Sequence, residues 1–308
     1  MLTLKEKNVL VTGGAGFIGS HIVDRLAGDC SVTALDDLST GKEENLSGNE
    51  NVEFVKGGLS DFDLVRKTVI DADIDVIFHI GANASVPNSV AQPRYDFNAN
   101  ALGTFNVLTS CLDSGVAKVV YASTAAVYGE PVQTPIDENH PLHPISPYGA
   151  SKLAGERYGF AFKETYGLDF AAIRIFNTYG TRQPRYVMYD FIQKLRANPL
   201  FLEVLGTGEQ IRDYCYVSDM ADAFALVAER GHGVYNAAGG NPVSIRALAE
   251  LMVAIISPEA EIQYGGKTWA GDVNTLYADI SRIRELGFDP KVGFEDGVRQ
   301  MIAWFEGR

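Results

Sequence analysis

Asn8-Val9-Leu10-Val11-Thr12-Gly13-Gly14-Ala15-Gly16-Phe17-Ile18-Gly19 decides the fold. Its first five residues are mostly apolar and β-branched without alternation, the pattern of a short strand buried on both faces. Glycines at 13, 16 and 19 follow, and a helical pattern over 18–26 ends at Gly28. Strand, glycine turn and helix together are the context of a dinucleotide fingerprint. Bare glycines let the backbone approach a pyrophosphate, and the helix N-terminus offers free N–H groups and a positive dipole. A second strand-like run, 31–36, ends in Asp36, about twenty residues after the glycines. A carboxylate there accepts hydrogen bonds from the adenosine ribose and repels a 2′-phosphate, which predicts NAD rather than NADP.

Outward from this stretch the alternation continues. Strands are expected at 52–56, 76–79, 118–123 and 169–176, with a long helix from Arg94 to about Ser114 and another from Ser146 to about Tyr166, closed by Gly167. This is the α/β pattern of a Rossmann-type, doubly wound parallel sheet. Beyond residue 176 the pattern changes. A helix near 188–197, a strand near 203–205, a strand at 234–237 returning to the sheet, a helix capped by Ser244 and running to about Ile256, a strand at 261–264 and final helices with Trp304 and Phe305 read as a smaller, mixed α/β C-terminal lobe. The expected division is 1–176 with about 213–240 for the NAD-binding domain, and about 177–212 with 241–308 for a substrate lobe.

Charge and composition narrow the classes. The 308 residues are 46% hydrophobic and carry a net charge of −13, so nucleic acid and anionic membrane surfaces are poor partners. No apolar run is long enough to span a membrane, and 1–7 lacks a signal-peptide core, which reads as a cytoplasmic protein. Cys30, Cys111 and Cys215 are scattered, suggesting neither a disulfide framework nor a metal cluster.

The stretch Ser146-Pro147-Tyr148-Gly149-Ala150-Ser151-Lys152 opens a helix, with Ser146 as cap and Pro147 at the first position. Tyr148 and Lys152 then share a face one turn apart. An ammonium near a phenol favours the phenolate, so the pair can act as a proton-transfer device. Alone, such a spacing is also what chance places on helix surfaces.

The Gly-x-x-Gly-x-x-Gly spacing resembles the extended branch of the short-chain dehydrogenase/reductase superfamily, and about six motifs in the family's order cover nearly the whole chain. Among its members the nucleotide-sugar epimerases of the UDP-glucose 4-epimerase type look nearest. The resemblance implies that Gly13, Gly16, Phe17, Ile18 and Gly19 cradle the NAD pyrophosphate, and that Asp36 with Asp37, Ser39, Thr40 and Gly41 wraps the adenosine ribose. Where the family usually has an Asp that meets the adenine amine, this chain has Gly58; Leu59 remains to pack on the base, and Asp61 caps the next helix. His79-Ile80-Gly81-Ala82 resembles the family's His-x-Ala-Ala run, in which small residues such as Ala82 pass close to the cofactor; His79 itself reads as a hydrogen-bonded core residue. Asn100-Ala101-Leu102-Gly103-Thr104 matches a motif whose Asn fixes the active-site backbone and cofactor. Ser123-Thr124-Ala125-Ala126-Val127-Tyr128-Gly129 matches the strand end that carries the catalytic hydroxyl, here Thr124, with Ser123 near the nicotinamide and Phe176 also on the cofactor side.

On the substrate side the resemblance assigns Asn177 to the sugar–phosphate region and Arg212 to the diphosphate, where a bidentate guanidinium suits the charge. Val187 and Leu205 join them; Asp213 is a loop partner and Asp219 a helix cap. Trp269-Ala270-Gly271-Asp272 stands where the family has Arg-x-Gly-Asp, so Trp269 replaces a second cation for which Lys267 or Arg182 can compensate. Leu276, smaller than the aromatic residue that excludes N-acetyl sugars, leaves room for N-acetylhexoses. The implied reaction is 4-epimerisation of a UDP-hexose. Tyr148 takes the O4 proton with Thr124 sharing it, and NAD takes the C4 hydride. The resulting 4-keto sugar turns about its diphosphate link, and the hydride returns to the other face. Lys152 would bond the nicotinamide ribose and depress the Tyr148 pKa. NAD would stay bound between cycles, and two helices near 94–114 and 148–166 would pair in a homodimer. A 4,6-dehydratase or uronate decarboxylase needs an acid after the strand hydroxyl, where this chain has Ala125 and Ala126. A ketoreductase exchanging NADP is disfavoured by Asp36. A non-catalytic nucleotide-binding regulator is disfavoured by Thr124, Tyr148 and Lys152 together. The sugar itself, glucose, its N-acetyl form or the uronate, stays open at this stage.

Overall fold

The computed structural model describes residues 2–49, 51–266 and 273–307. Strand β1 (Asn8–Thr12) passes through the glycine turn into helix α1 (Phe17–Leu26), and β2 (Ser31–Asp36) and β3 (Val52–Lys56) extend the sheet on one side of β1. Helix α2 (Phe62–Asp71) is capped by Asp61, whose side chain accepts from the Leu64 N–H, and leads to β4 (Val76–His79) on the other side of β1. Short helices α3 (Val86–Ala91) and α4 (Pro93–Phe97) then run through a π-turn at Asn98–Leu102 into α5 (Gly103–Ser110). The helix expected over 94–114 therefore starts at Pro93, carries a wide turn and stops at Ser110. The widening falls where Asn100 turns inward to bond the Asn83 backbone, a common use of a π-turn at a site.

Strand β5 (Lys118–Thr124), helix α6 (Pro147–Tyr166) and strand β6 (Asp169–Ile175) follow. Ser146 accepts the Gly149 N–H at the start of α6, and Gly167 closes it with φ +75°. The remaining elements are β7 (Asn177–Tyr179), α7 (Val187–Ala197), β8 (Phe201–Val204), β9 (Ile211–Tyr216), α8 (Val217–Arg230), β10 (Val234–Ala237), β11 (Pro242–Ser244), α9 (Ile245–Ile256), β12 (Glu261–Tyr264), β13 (Thr275–Leu276), α10 (Ser281–Glu285) and α11 (Phe294–Glu306).

The main sheet has seven parallel strands in the order β10-β6-β5-β4-β1-β2-β3. Successive residues of one strand feed opposite faces: Val9 and Val11 join a core with α1 and α8, while Leu10 joins another with α2, α5 and α6. Both faces are thus covered, as continuous apolar strands require. The strand order reverses between β1 and β4, so their carboxyl ends open a crevice. A third apolar cluster gathers α7, β8, β9, α9 and α11 beyond those ends. There β9 pairs with β7, β11 and β13, and β8 pairs with β12. Asp219 is not a cap. It lies in the first turn of α8, whose N-cap position is Tyr216, and accepts the Val292 N–H at 3.0 Å. Asp213 accepts the Gly240 N–H at 2.9 Å, the loop partnership expected of it.

Candidate active site

The glycine turn is as bare as close approach demands. Gly13 has φ +67°, and a Cβ on it would lie 2.8 Å from Gly81 Cα; a Cβ on Gly19 would lie 2.0 Å from the Gly13 carbonyl oxygen. Gly16 at the N-cap of α1 supplies no side-chain cap, so the helix presents its first N–H groups outward. Asp36 ends β2 with Oδ2 accepting the Ala15 N–H at 3.1 Å and Oδ1 accepting the Leu38 N–H at 2.8 Å. Burial pushes its carboxyl upward, and these N–H groups oppose the push. Asp37 accepts the Ser39 N–H, and Gly41 packs against Ala15 and Asp36. Leu59 lies against Gly81 and Gly103, whereas nothing comes closer than 3.9 Å to the Cβ position of Gly58. A bare turn, an uncapped helix start and an acid at the end of β2 fit a dinucleotide.

Thr124 ends β5, and α6 brings Tyr148 and Lys152 against it. The Thr124 side chain accepts the Ala126 N–H at 3.2 Å, and its hydroxyl faces the Tyr148 phenol, favouring the phenolate. Burial pushes the Tyr148 phenol up, and the neighbouring Tyr186 adds to this; the Thr124 hydroxyl and Arg185 oppose it. Burial pushes Lys152 down to about 7, opposed by the carboxylates of Asp96 and Glu156. The lowering of Tyr148 by Lys152 expected from the spacing is therefore not found in the protein alone. The Lys152 ammonium sits on the face of Tyr121, 4.4 Å from the ring centroid, and desolvation dominates the phenol.

Behind the pair lies a buried polar framework. His79 bridges the hydroxyls of Thr12 (2.7 Å) and Thr104 (2.9 Å), and burial pushes it down to about 3, a neutral core histidine. Asn100 bonds both the N–H and the carbonyl of Asn83 as well as Ser151 and Asp96, so it holds backbone and does not line the cavity. Ser123 donates to Glu156 at 2.5 Å, and Glu156 makes two bonds of 2.9 Å to Arg174. Glu156 escaped sequence reasoning, although Tyr148, Lys152 and Glu156 recur every four residues along one helix face.

One cavity of about 1150 Å³ joins these parts. It runs from the glycine turn, Asp36, Asp37, Ser39, Thr40, Gly58 and Leu59, past Ala82, Ser123, Thr124, Tyr148, Lys152 and Phe176, to Asn177, Val187, Leu205, Arg212 and Leu276. Gly41 and Asn100 are packed behind its wall; Asp272, Trp269 and Lys267 lie outside the described residues. Arg212 donates to the carbonyls of Ile211 at 2.8 Å and Asn274 at 3.3 Å. Among the described residues, Asn177 Oδ1 and Gln183 Oε1 are buried cavity acceptors without a hydrogen-bond partner.

The 180–187 segment is only partly legible in the sequence: Arg182 and Val187 are expected at the site, Tyr186 is not. Its Thr181 and Arg182 are tied to α1 through His21 (2.9 Å) and Asp24 (2.7 Å), and its Tyr186 donates to the Ala84 carbonyl at 2.6 Å. It straps the cavity next to Tyr148, and Trp304 and Phe305 also line the wall. The Arg182–Asp24 pair commits the cation that was a candidate to replace the arginine missing at Trp269. Among the described residues no group of His, Cys, Asp and Glu is arranged to hold a metal ion, and no helix is long and apolar enough to cross a membrane.

Comparison with known proteins agrees with this architecture. Residues 9–238 match the NAD dependent epimerase/dehydratase family. The chain is 39% identical, with a TM-score of 0.92, to a UDP-N-acetylglucosamine 4-epimerase from Methanobrevibacter ruminantium M1 in complex with UDP-N-acetylmuramic acid, covering 98% of this chain and 99% of that one. It is 36% identical over 311 residues to the UDP-glucose 4-epimerase of Mycolicibacterium smegmatis, covering 97% and 98% of the two chains. A lyase is similar too: DesIV, a dTDP-glucose 4,6-dehydratase from Streptomyces venezuelae with NAD bound, at 31% identity, 98% and 97% coverage and a TM-score of 0.90.

Proposed function

Because this chain belongs to the NAD dependent epimerase/dehydratase family, we propose that it is a UDP-hexose 4-epimerase that keeps NAD tightly bound and works through a transient 4-keto sugar. The observation that carries the reading is the single cavity. It leads from the dinucleotide turn past Thr124 and Tyr148 to Asn177, Arg212 and Leu276, with methyl groups at Ala125 and Ala126 where an elimination needs an acid. The residues of 1–176 and about 213–240 hold the cofactor, and those of 177–212 and 241–308 hold the nucleotide sugar. NAD, when bound, supplies a reversible hydride acceptor carrying a positive ring.

The chain's own residues handle the proton and the pose. The Tyr148 phenol, pushed up by burial in the protein alone, needs positive charge beside it, from Lys152 and the bound nicotinamide, to stand as the phenolate that takes the O4 proton and later returns it. Thr124, whose hydroxyl faces the phenol, shares that proton. Asn177 and Gln183 offer buried acceptors to donors on the ligand, and Arg212 stands at the diphosphate end. Gripping the diphosphate while leaving the sugar lightly held lets the keto sugar present either face. The strap at 180–187 excludes water from that end, so the keto sugar is retained.

Purified protein incubated with UDP-galactose, UDP-glucose, UDP-N-acetylglucosamine or UDP-glucuronate, without added NAD, should interconvert at least one of them with its C4 epimer, read by chromatography. No interconversion of any refutes the epimerase; release of a 4-keto-6-deoxy sugar would make the protein a dehydratase like DesIV. Leu276 leads us to expect UDP-N-acetylglucosamine to be accepted alongside UDP-glucose.

A further inference from the structure

Asp96, at the end of α4, is buried to 1% exposure. Its Oδ1 accepts from Asn83 Nδ2 at 2.8 Å and Asn100 Nδ2 at 3.0 Å, and its Oδ2 from the Ser151 hydroxyl at 2.7 Å. Every one of these partners is neutral. A buried carboxylate with neutral partners alone retains a large electrostatic cost. Lys152, next to Ser151 and 2% exposed, is the reciprocal case: a buried ammonium with no ion pair among the described residues, resting on the Tyr121 ring. Other groups face it as well. From α6 itself come Tyr148 and Glu156, from β5 Tyr121, from β4 His79, and from β6 Arg174 through Glu156. His79 is neutral, and Glu156 is committed to Arg174 by two bonds of 2.9 Å. The charge of Asp96 is thus the one not already neutralised by a cation in contact.

We propose that Asp96 is a positioning residue for the proton-transfer site, the buried counter-charge that keeps Lys152 an ammonium, held at its place by Asn83, Asn100 and Ser151. The π-turn at Asn98–Leu102 serves this arrangement by placing Asn100 between Asp96 and the Asn83 backbone. The role of Lys152 in catalysis rests on the proposed function above; the charge pairing does not. The direction of the effect on Lys152 agrees, since Asp96 raises what burial lowers.

The test reads the charge of Lys152 directly. In protein labelled with ¹³C at lysine Cε, the signal lost in Lys152→Met is followed against pH. The wild-type midpoint should lie near 7, Asp96→Asn should lower it by about one pH unit or more, and Asp96→Glu should restore it towards wild type. A midpoint unmoved in Asp96→Asn overturns the proposal. Should Asp96→Asn fold poorly, a double-mutant cycle by thermal unfolding decides. Lys152→Met must cost less stability in the Asp96→Asn background than in wild type, and additive effects overturn the pairing. Epimerase assays on the same variants separate the two readings. If wild type turns over, the alkaline limb of kcat should move down in pH with the NMR midpoint. If wild type interconverts no UDP-sugar yet the NMR midpoint shifts, the pairing stands and the proposed function fails.

Discussion

Tyr148 lies at the meeting point of several requirements on the site: burial, a hydroxyl neighbour in Thr124 and a place on the cavity wall. Replacing it by Phe keeps the ring and its packing but removes the atom that the proposed reaction uses to exchange the O4 proton. Turnover should fall by roughly 10²–10⁴ while NAD still co-purifies, measured by its release on denaturation; undiminished turnover would remove Tyr148 as the acid–base group. His79 permits a prediction on stability. Its folded value is depressed to about 3 from 6.5, so the neutral form belongs to the native state. The unfolded chain binds the extra proton first, and the stabilisation present above pH 6.5 is lost as pH falls towards 3. The loss is at most about 1.4 kcal/mol per pH unit. His79→Gln, which keeps a bond to one threonine, should flatten the pH dependence of urea midpoints in that window. An equally steep dependence in the variant would show that other groups carry the acid sensitivity.

At the scale of elements, the glycine turn and the Glu156–Arg174 clamp make different demands. A Cβ at Gly19 would overlap the Gly13 carbonyl, so Gly19→Ala should open the turn and lose bound NAD, seen by its absorbance after gel filtration, even where the sheet survives. Glu156→Gln leaves the Arg174 guanidinium buried without its charge partner and should destabilise by about 3–5 kcal/mol in chemical denaturation. The two were not equally legible in the sequence. Glycine spacing, the strand before it and Asp36 act through neighbours in the chain, so pattern alone carries them. So do the caps at Asp61, Ser146 and Ser244. The bond from Tyr186 to Ala84 spans 102 residues, and that from Arg182 to α1 depends on the fold being complete. The π-turn in the 93–110 helix answers to Asn83, not to its own residues, so periodicity could not show it. The Tyr148–Lys152 pair is legible only in part for a related reason: spacing gives the shared face, but burial and the Tyr121 ring decide where the ammonium rests in the protein alone.

On the whole molecule one surface stands apart from the cavity. Phe97 is 58% exposed, and on α5 and α6 Phe105, Tyr158 and Tyr166 are all exposed aromatics. Phe105 meets Tyr158 edge-on at 5.3 Å between centroids, and Phe162 carries the contact on to Tyr166 at 5.0 Å, so the rings form one patch across both helices. A contiguous apolar patch on a chain of net charge −13 invites coverage by another protein surface. The same two helices were the expected pairing surface, and two-fold pairing sets a patch against its own copy. The protein should therefore elute with twice the mass of its 33.4 kDa chain in light scattering, and Phe105→Glu with Tyr158→Glu should return it to single mass. Neither side chain lines the cavity, so far-ultraviolet circular dichroism and NAD content should persist in the separated chains. A wild-type protein already of single mass, or a charged double variant that stays paired, would place the dimer elsewhere or abolish it. Because α6 also carries Tyr148 and Lys152, a drop in kcat on separation without loss of NAD would mean that pairing steadies the proton-transfer helix. Unchanged kcat would mean that each chain holds a complete site and the pairing serves stability alone.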